Sequence, residues 1–219
     1  LAWVEKQKLL ASDSEAGDFF GRSLSISSGG NILAIGASRE DPAGLLDAGS
    51  VYIFQNSSNG YRQVQKLTAS FGTDGLPEVS PEGDWFGRKL SMSSNGETLA
   101  VTAYADEENG GGAAGSVYVF ASGSGGYQQV QKLTASFGTD GLPEVSPAGD
   151  YFGISAAISS TGETLAIGAL GDEENGGSFA GAVYIFTSGS SGYQQVQKLT
   201  ASFGTDGLPE VSTQGDRFG

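Results

Sequence analysis

Cysteine and histidine are both absent from this sequence. Their absence excludes a disulfide framework, the usual zinc-ligand sets, the Cys-His and Ser-His nucleophile systems, and the one side chain that ordinarily titrates near neutral pH. Basic residues are scarce as well: 11 lysines and arginines face 25 acids, a formal charge of −14. Repulsion from phosphate then argues against nucleic acid or an anionic membrane as a partner, and cations suit such a surface better. No apolar run approaches the roughly 20 residues that a spanning helix needs, so no membrane insertion is expected. The stretch after Leu1 carries no signal-peptide pattern, and a secretion signal is expected outside this segment. Sustained i, i+3, i+4, i+7 apolar spacing is missing too, and glycine, present 36 times, is costly inside helices. Almost no helix is expected, and carboxylates are the main chemistry left.

What is present is repetition. Gly17-Asp18-Phe19-Phe20-Gly21 returns in kind at Gly83, Gly149 and Gly215, each 66 residues after the last. Residues 127–146 and 193–212 are identical over 20 positions, and residues 61–80 differ from both only at Arg62. A fixed period means one supersecondary unit stacked on copies of itself.

Each unit reads as four strands. Strand A covers residues 22–27 of the first unit and leads into a hairpin such as Ser94-Asn95-Gly96-Glu97, where Asn-Gly favours the left-handed angles of a two-residue turn. Strand B covers 31–37, 98–103 and 164–169, and a long acidic loop follows it. Strand C covers 50–54, 116–120 and 182–186; strand D covers 61–68, 127–134 and 193–200. In strand C, Tyr118 and Phe120 point to one face while Val117 and Val119 point to the other, so both faces are apolar and the sheet is layered between neighbours. Strand D is polar, with a lysine at Lys8, Lys66, Lys132 and Lys198. That pattern suits an exposed outer edge, where charge discourages edge-to-edge pairing.

Gly-Asp-x-Phe-Gly, then Leu-Ala-Ile-Gly-Ala at 33–37 and 165–169, then Gly-Ser-Val-Tyr-Ile-Phe at 49–54, resembles the FG-GAP repeat of integrin-type β-propellers. The resemblance spans all three units, with a departure at Val101-Thr102-Ala103. It implies an all-β fold of propeller-type blades, each of four antiparallel strands with strand A innermost, in a family that includes the ligand-binding heads of integrin α subunits. On this reading residues 1–16 are the last strand of a preceding blade and its loop. Complete blades span 17–82, 83–148 and 149–214, and residues 215–219 begin another. Three complete blades plus partial blades at both ends do not close a ring, since propellers use about 4 to 8 blades. A longer chain or self-association is expected.

The same resemblance places calcium in the A–B hairpin, yet those loops read Ser27-Ser28-Gly29-Gly30-Asn31, Ser93-Ser94-Asn95-Gly96-Glu97 and Ser159-Ser160-Thr161-Gly162-Glu163. They lack the aspartates that a hard cation wants. Acids gather instead in the B–C loops (Glu40 and Asp41; Asp106, Glu107 and Glu108; Asp172, Glu173 and Glu174) and the D–A loops (Asp74, Glu78, Glu82 and Asp84; Asp140, Glu144 and Asp150). In a four-strand meander both loop sets emerge at one end, so they share one face. Asp74, Glu78, Asp84, Asp106, Glu108, Asp140, Glu144, Asp150, Asp172 and Glu174 are therefore the candidate ligands for a divalent cation, calcium first. The competing reading is a solvated acidic surface. For Asp18, Asp84, Asp150 and Asp216 a turn role, accepting backbone N–H bonds before strand A, competes with metal ligation. Phe20, Phe86, Phe152 and Phe218 read as inter-blade core. Asn56-Ser57-Ser58 is an N-glycosylation sequon in the first C–D turn.

Carboxylate pairs could in principle cleave glycosidic bonds, but here they repeat from blade to blade in glycine-rich loops, so no enzyme is expected. The function expected is an extracellular or cell-surface module for adhesion or ligand binding, taking a protein or glycan ligand at the acidic face. Two alternatives stand beside it: a structural repeat of an extracellular filament or wall built from copies of itself, and a lectin using exposed aromatics such as Trp85 and Tyr151.

Overall fold

The computed structural model describes residues 4–70, 83–107, 112–135, 148–173 and 179–200. Within them three sheets form, each of four antiparallel strands in chain order. The first holds β1 (Phe20–Ile26), β2 (Ile32–Ala37), β3 (Ser50–Ser57) and β4 (Gly60–Leu67). The second holds β5 (Leu90–Met92), β6 (Thr98–Ala103), β7 (Ser116–Gly123) and β8 (Gly126–Leu133), and the third β9 (Phe152–Ile158), β10 (Thr164–Ala169), β11 (Ala182–Gly189) and β12 (Gly192–Leu199). Among the described residues helix is limited to one 3-10 turn, Pro42–Gly44. The all-β, blade-like reading of the sequence holds.

Burial follows the two-faced pattern of strand C. In β7 the five residues from Ser116 to Phe120 are all buried. Tyr118 and Phe120 join Val51, Ile53 and Leu67 of the first sheet in one cluster, while Val117 and Val119 join Phe152, Leu165 and Tyr184 of the third in another. The middle sheet is thus a layer between two others, and apolar burial on both faces holds the stack together. Phe86 and Phe152 lie in these inter-blade cores, each edge-on to a tyrosine and a phenylalanine of its own strand C.

Polar bonds cross the same junctions. Met92 N donates to Ser25 Oγ at 3.0 Å and Ile158 N to Ser91 Oγ at 2.9 Å, which sets the A strands of successive blades side by side. Further out, the Gln65 amide clamps the backbone of Tyr127, donating to its carbonyl at 2.7 Å and accepting from its N–H at 2.8 Å. Gln131 holds Tyr193 in the same way, and Gln7 holds Tyr61. Residues 4–10 therefore take the place of a preceding strand D, although they make no ladder of their own.

The A–B hairpin differs from the two-residue turn that Asn95-Gly96 suggests. Only Gly96 has a positive φ, of 76°. Four residues separate Ser93 from Thr98, because the Ser93 hydroxyl accepts from Thr98 N at 3.0 Å while its carbonyl accepts from Gly96 N at 2.9 Å. A serine side chain substitutes for a ladder carbonyl and widens the loop. Ser27 and Ser159 do the same in their blades.

Each hairpin also receives a tyrosine hydroxyl from strand D, buried in blades 2 and 3, where Tyr127 donates to Gly96 O and Tyr193 to Gly162 O, and partly buried in blade 1, where Tyr61 donates to Gly30 O at 2.6 Å. Burial pushes the Tyr127 hydroxyl up from 10.0 to about 12. The unfolded chain gives up that proton near 10 and the folded chain near 12, so between them the folded state holds more protons and stability falls as pH rises. Tyr127→Phe should flatten this alkaline decline between pH 10 and pH 12, read by chemical denaturation at both. An unchanged slope would show that Tyr127 is not its source.

Candidate functional site

The B–C loops and the Gly-Asp-x-Phe-Gly turns meet at one end of the stack. Gly149, Tyr151 and Phe152 donate backbone N–H bonds to Gly112, Ala113 and Ala114, at 2.9, 3.1 and 3.0 Å. Gly83, Trp85 and Phe86 make the same bonds to Leu46, Asp47 and Ala48. The turns of blades 2 and 3 thus dock on the B–C loop of the blade before. Trp85 and Tyr151 take φ of 58° and 54° in these turns, as Phe19 does at 58° in blade 1, a left-handed geometry that costs about 1–2 kcal/mol at a non-glycine residue.

The loop neck is held differently. Asp106 is 1% exposed and its Oδ2 lies 2.7 Å from Lys132 Nζ and 2.9 Å from the Tyr118 hydroxyl. Asp172, Lys198 and Tyr184 repeat the arrangement at 2.8 and 2.6 Å. Both lysine side chains are fully buried. The reading of these strand D lysines as exposed edge charges is therefore corrected for Lys132 and Lys198. They lie under the B–C loop, where their ammonium groups also sit 5.2 and 5.0 Å from the Tyr118 and Tyr184 ring centroids. A signal existed in the sequence, since acid and lysine stand 26 residues apart in all three blades (40 and 66, 106 and 132, 172 and 198).

Blade 1 departs from this plan. Glu40 replaces the aspartate, and its longer side chain reaches Ser50 Oγ at 2.5 Å as well as Lys66 at 2.8 Å. Lys66 also pairs with Asp13 at 2.7 Å. Burial opposes the charge on Lys66, but hydrogen bonds to Asp13 and Glu40 outweigh it and hold the ammonium above its usual range. Hydrogen bonding to Lys66 in turn holds the Asp13 carboxyl below its own. Tyr52, the counterpart of Tyr118, is fully buried, and burial pushes its hydroxyl well above the usual tyrosine range.

Above this network the D–A segment and the B–C loop of blade 1 frame a cleft of about 790 Å³. Six carboxylates line it, those of Asp13, Glu15, Asp18, Glu40, Asp41 and Asp47, against two cations, Arg39 and Lys66. The loop is ordered from within, as Asp47 N donates to Asp41 Oδ1 at 2.7 Å. Sequence reasoning placed Glu40 and Asp41 here but passed over Asp13, Glu15 and Asp47.

Of the candidate metal ligands, Asp106 and Asp172 sit in the buried ion pairs, and Asp84 and Asp150 are buried at 3% and 2% exposure in their turns. Asp74, Glu78, Glu108, Asp140, Glu144 and Glu174 lie outside the described residues. Among the described residues no three acids converge to hold a metal ion. Asp18 accepts from Glu15 N at 2.6 Å, the bond a turn residue makes. Trp85 and Tyr151 are half-buried and joined through Tyr104, and Arg39 and Arg88 lie 5.6 and 5.7 Å from the Trp85 ring centroid. Asn56 is exposed near the end of β3. No helix among the described residues is long and apolar enough to cross a membrane.

Comparison with known proteins agrees with this architecture. The FG-GAP repeat model matches residues 3–54, 61–120 and 127–186, each match running from a strand D position through the A, B and C strands that follow. No curated protein matches the chain. Among solved structures, a candidate 6-phosphogluconolactonase from Bacteroides fragilis aligns at 14% identity and TM-score 0.51, over 84% of this chain and 40% of its own. One from Bacteroides uniformis aligns at 14% identity and TM-score 0.52, over 88% and 44%. The chain spans less than half the length of these structures, and likeness at such identity concerns the fold alone.

Proposed function

Because this chain belongs to the FG-GAP repeat family, we propose that it is a non-enzymatic binding module of the extracellular space or cell surface, taking a protein or glycan ligand at its acidic loop face. The observation that carries this reading is the blade 1 cleft, where six carboxylates against two cations favour a ligand segment bearing lysine or arginine. Fixed charges in a concave site focus field and raise both the encounter rate and the local concentration of a cationic partner. Asp106 and Asp172 are committed to ion pairs, so blades 2 and 3 lend the face mainly rigidity. Calcium enters this reading through the loop carboxylates Asp74, Glu78, Glu108, Asp140, Glu144 and Glu174. A calcium titration with no heat and no rise in melting temperature would remove the metal from it.

The test is a titration with an oligo-arginine peptide followed by fluorescence anisotropy. The chain should bind the peptide with an affinity that falls as salt rises, and the pair Glu15→Gln and Asp47→Asn should weaken it about tenfold, or about 1.4 kcal/mol. Both changes keep shape and remove charge. Absence of binding at low salt, or binding indifferent to the pair, would count against the cleft as the site.

A further inference from the structure

Blades 1 and 2 do not close on each other along their whole height. Ile53 is buried in the core that the two blades share, but Gln55, two residues further along the same face of β3, is exposed. Here the sheets part, and a groove of about 530 Å³ opens between the C and D strands of blade 1 and the C–D turn of blade 2. That volume falls within the roughly 300–1,000 Å³ of small-molecule sites. The groove lies at the C–D end of the sheets, away from the B–C and D–A loops, and both of its walls belong to neighbouring blades inside the chain.

Its lining stands apart from the rest of a chain of formal charge −14, because none of the lining residues is charged. The floor is apolar and comes from Ile32, Ile53 and Val64. A β-bulge presents the valine: Ile53 pairs with Gln65 and Phe54 with Gln63, so Val64 has no partner across the ladder and stays 56% exposed. The rim is polar. Gln55 stands opposite Ile32 in the ladder of β2 and β3, and no hydrogen bond among the described residues engages its carboxamide. Across from it, the Ser122 and Ser124 hydroxyls and the glycine-rich backbone of the turn offer further donors and acceptors. The Gln65 clamp on the Tyr127 backbone ties one wall to the other, so the groove is preformed. At the next junction Thr98 and Ala121 take the places of Ile32 and Gln55, which removes the amide and makes the floor more polar.

We propose that this groove binds an uncharged sugar unit of a glycan. The apolar floor suits the C–H face of a pyranose ring, whose burial there removes apolar surface from water. Amide and hydroxyl groups at the rim pair with the ring hydroxyls. A charged ligand would lose its hydration here and find no opposite charge in return, and an anion would also meet the repulsion of the whole chain. The site is separate from the acidic cleft and goes beyond the reading given to that cleft.

The test is saturation-transfer NMR on the 219-residue chain with neutral disaccharides of glucose, galactose, mannose and N-acetylglucosamine, beside a sulfated disaccharide. At least one neutral sugar should receive saturation and the sulfated one should not. The affinity of the neutral sugar should be indifferent to salt, since no charge takes part. Gln55→Ala should weaken it about fivefold, the loss of about one hydrogen bond, and Gly125→Tyr about tenfold or more by filling the groove. Both positions tolerate change: Ala121 and Thr187 stand at the place of Gln55 in the other blades, and Asn59 and Ser191 at that of Gly125. Nothing lies within 4 Å of a Cβ at Gly125. The pair Glu15→Gln and Asp47→Asn should bind the sugar as the parent does, which separates this site from the cleft. No transfer to any neutral sugar, preference for the sulfated one, binding that ignores both groove variants, or binding lost in the cleft pair would overturn the inference, and the oligo-arginine titration would stand or fall by itself.

Discussion

Replacing Lys132 with methionine should remove about 3–5 kcal/mol of unfolding free energy, the loss typical of a buried ion pair stripped of one partner. The cost comes from what is left behind. Asp106 is 1% exposed and would keep its carboxylate away from water without the Lys132 ammonium. Lys132→Met combined with Asp106→Asn should recover most of the loss, since the Asp106 charge is removed along with the ammonium it faced and the amide oxygen still accepts from the Tyr118 hydroxyl. Lys66 supplies the internal control. Its side chain is 27% exposed and its partner Asp13 44% exposed, so solvent screens that pair; Glu40, 10% exposed, loses the same cation but keeps the Ser50 hydroxyl, and Lys66→Met should cost about 1–2 kcal/mol, less than Lys132→Met. Denaturant titration of the three variants decides the matter. If Lys132→Met proves no more harmful than Lys66→Met, the blade 2 pair does not hold its loop.

The second large effect should come from a single methyl group. Gly115 has a φ of +88°, and a Cβ there would meet Phe152 O at 2.1 Å and Phe152 N at 2.8 Å. Both atoms are backbone, anchored by the bond from Phe152 N to Ala114 O, so neither can move without opening the junction. Gly115→Ala should cost about 3 kcal/mol, from left-handed strain together with overpacking. The loss should be local as well as global. Amides of blade 3 should exchange faster relative to those of blade 1, because contacts between stacked repeats reach only the nearest neighbour. Gly112→Ala in the same loop is the control, for nothing lies within 4 Å of its added methyl. Equal stability of the two variants would deny the close approach its role.

How far the sequence carried these results depends on the range of the interactions involved. The period of the Gly-Asp-x-Phe-Gly turn and the two-faced apolar pattern of strand C are local facts, and they sufficed for the sheets, their order and their layering. The convergence of B–C and D–A loops followed from the meander itself. The fate of Lys132 was less accessible. β8 reads Gly-Tyr-Gln-Gln-Val-Gln-Lys-Leu, which alternates like a solvated edge, and only the fold brings Asp106 and Tyr118 over the ammonium group. The A–B hairpin misled for a related reason. Asn-Gly is a strong turn signal in isolation, but the serine before it offers a competing acceptor to the backbone, and that competition sets the loop length. The blade 1 cleft depended on a difference between copies. Its D–A segment lacks the longer insert that follows Ala69 and Ala135, and Glu40 stands where Asp106 and Asp172 stand elsewhere.

β8 and β12 share every residue. Nothing in their side chains tells β7 which of the two belongs beside it. That choice falls to the turns Ser124-Gly125 and Ser190-Ser191, which tether each strand to one neighbour. The chain thus keeps its assembly instructions in connectivity rather than in mutual recognition, and a nick in either turn would leave interchangeable pieces, free to trade places between blades and between molecules.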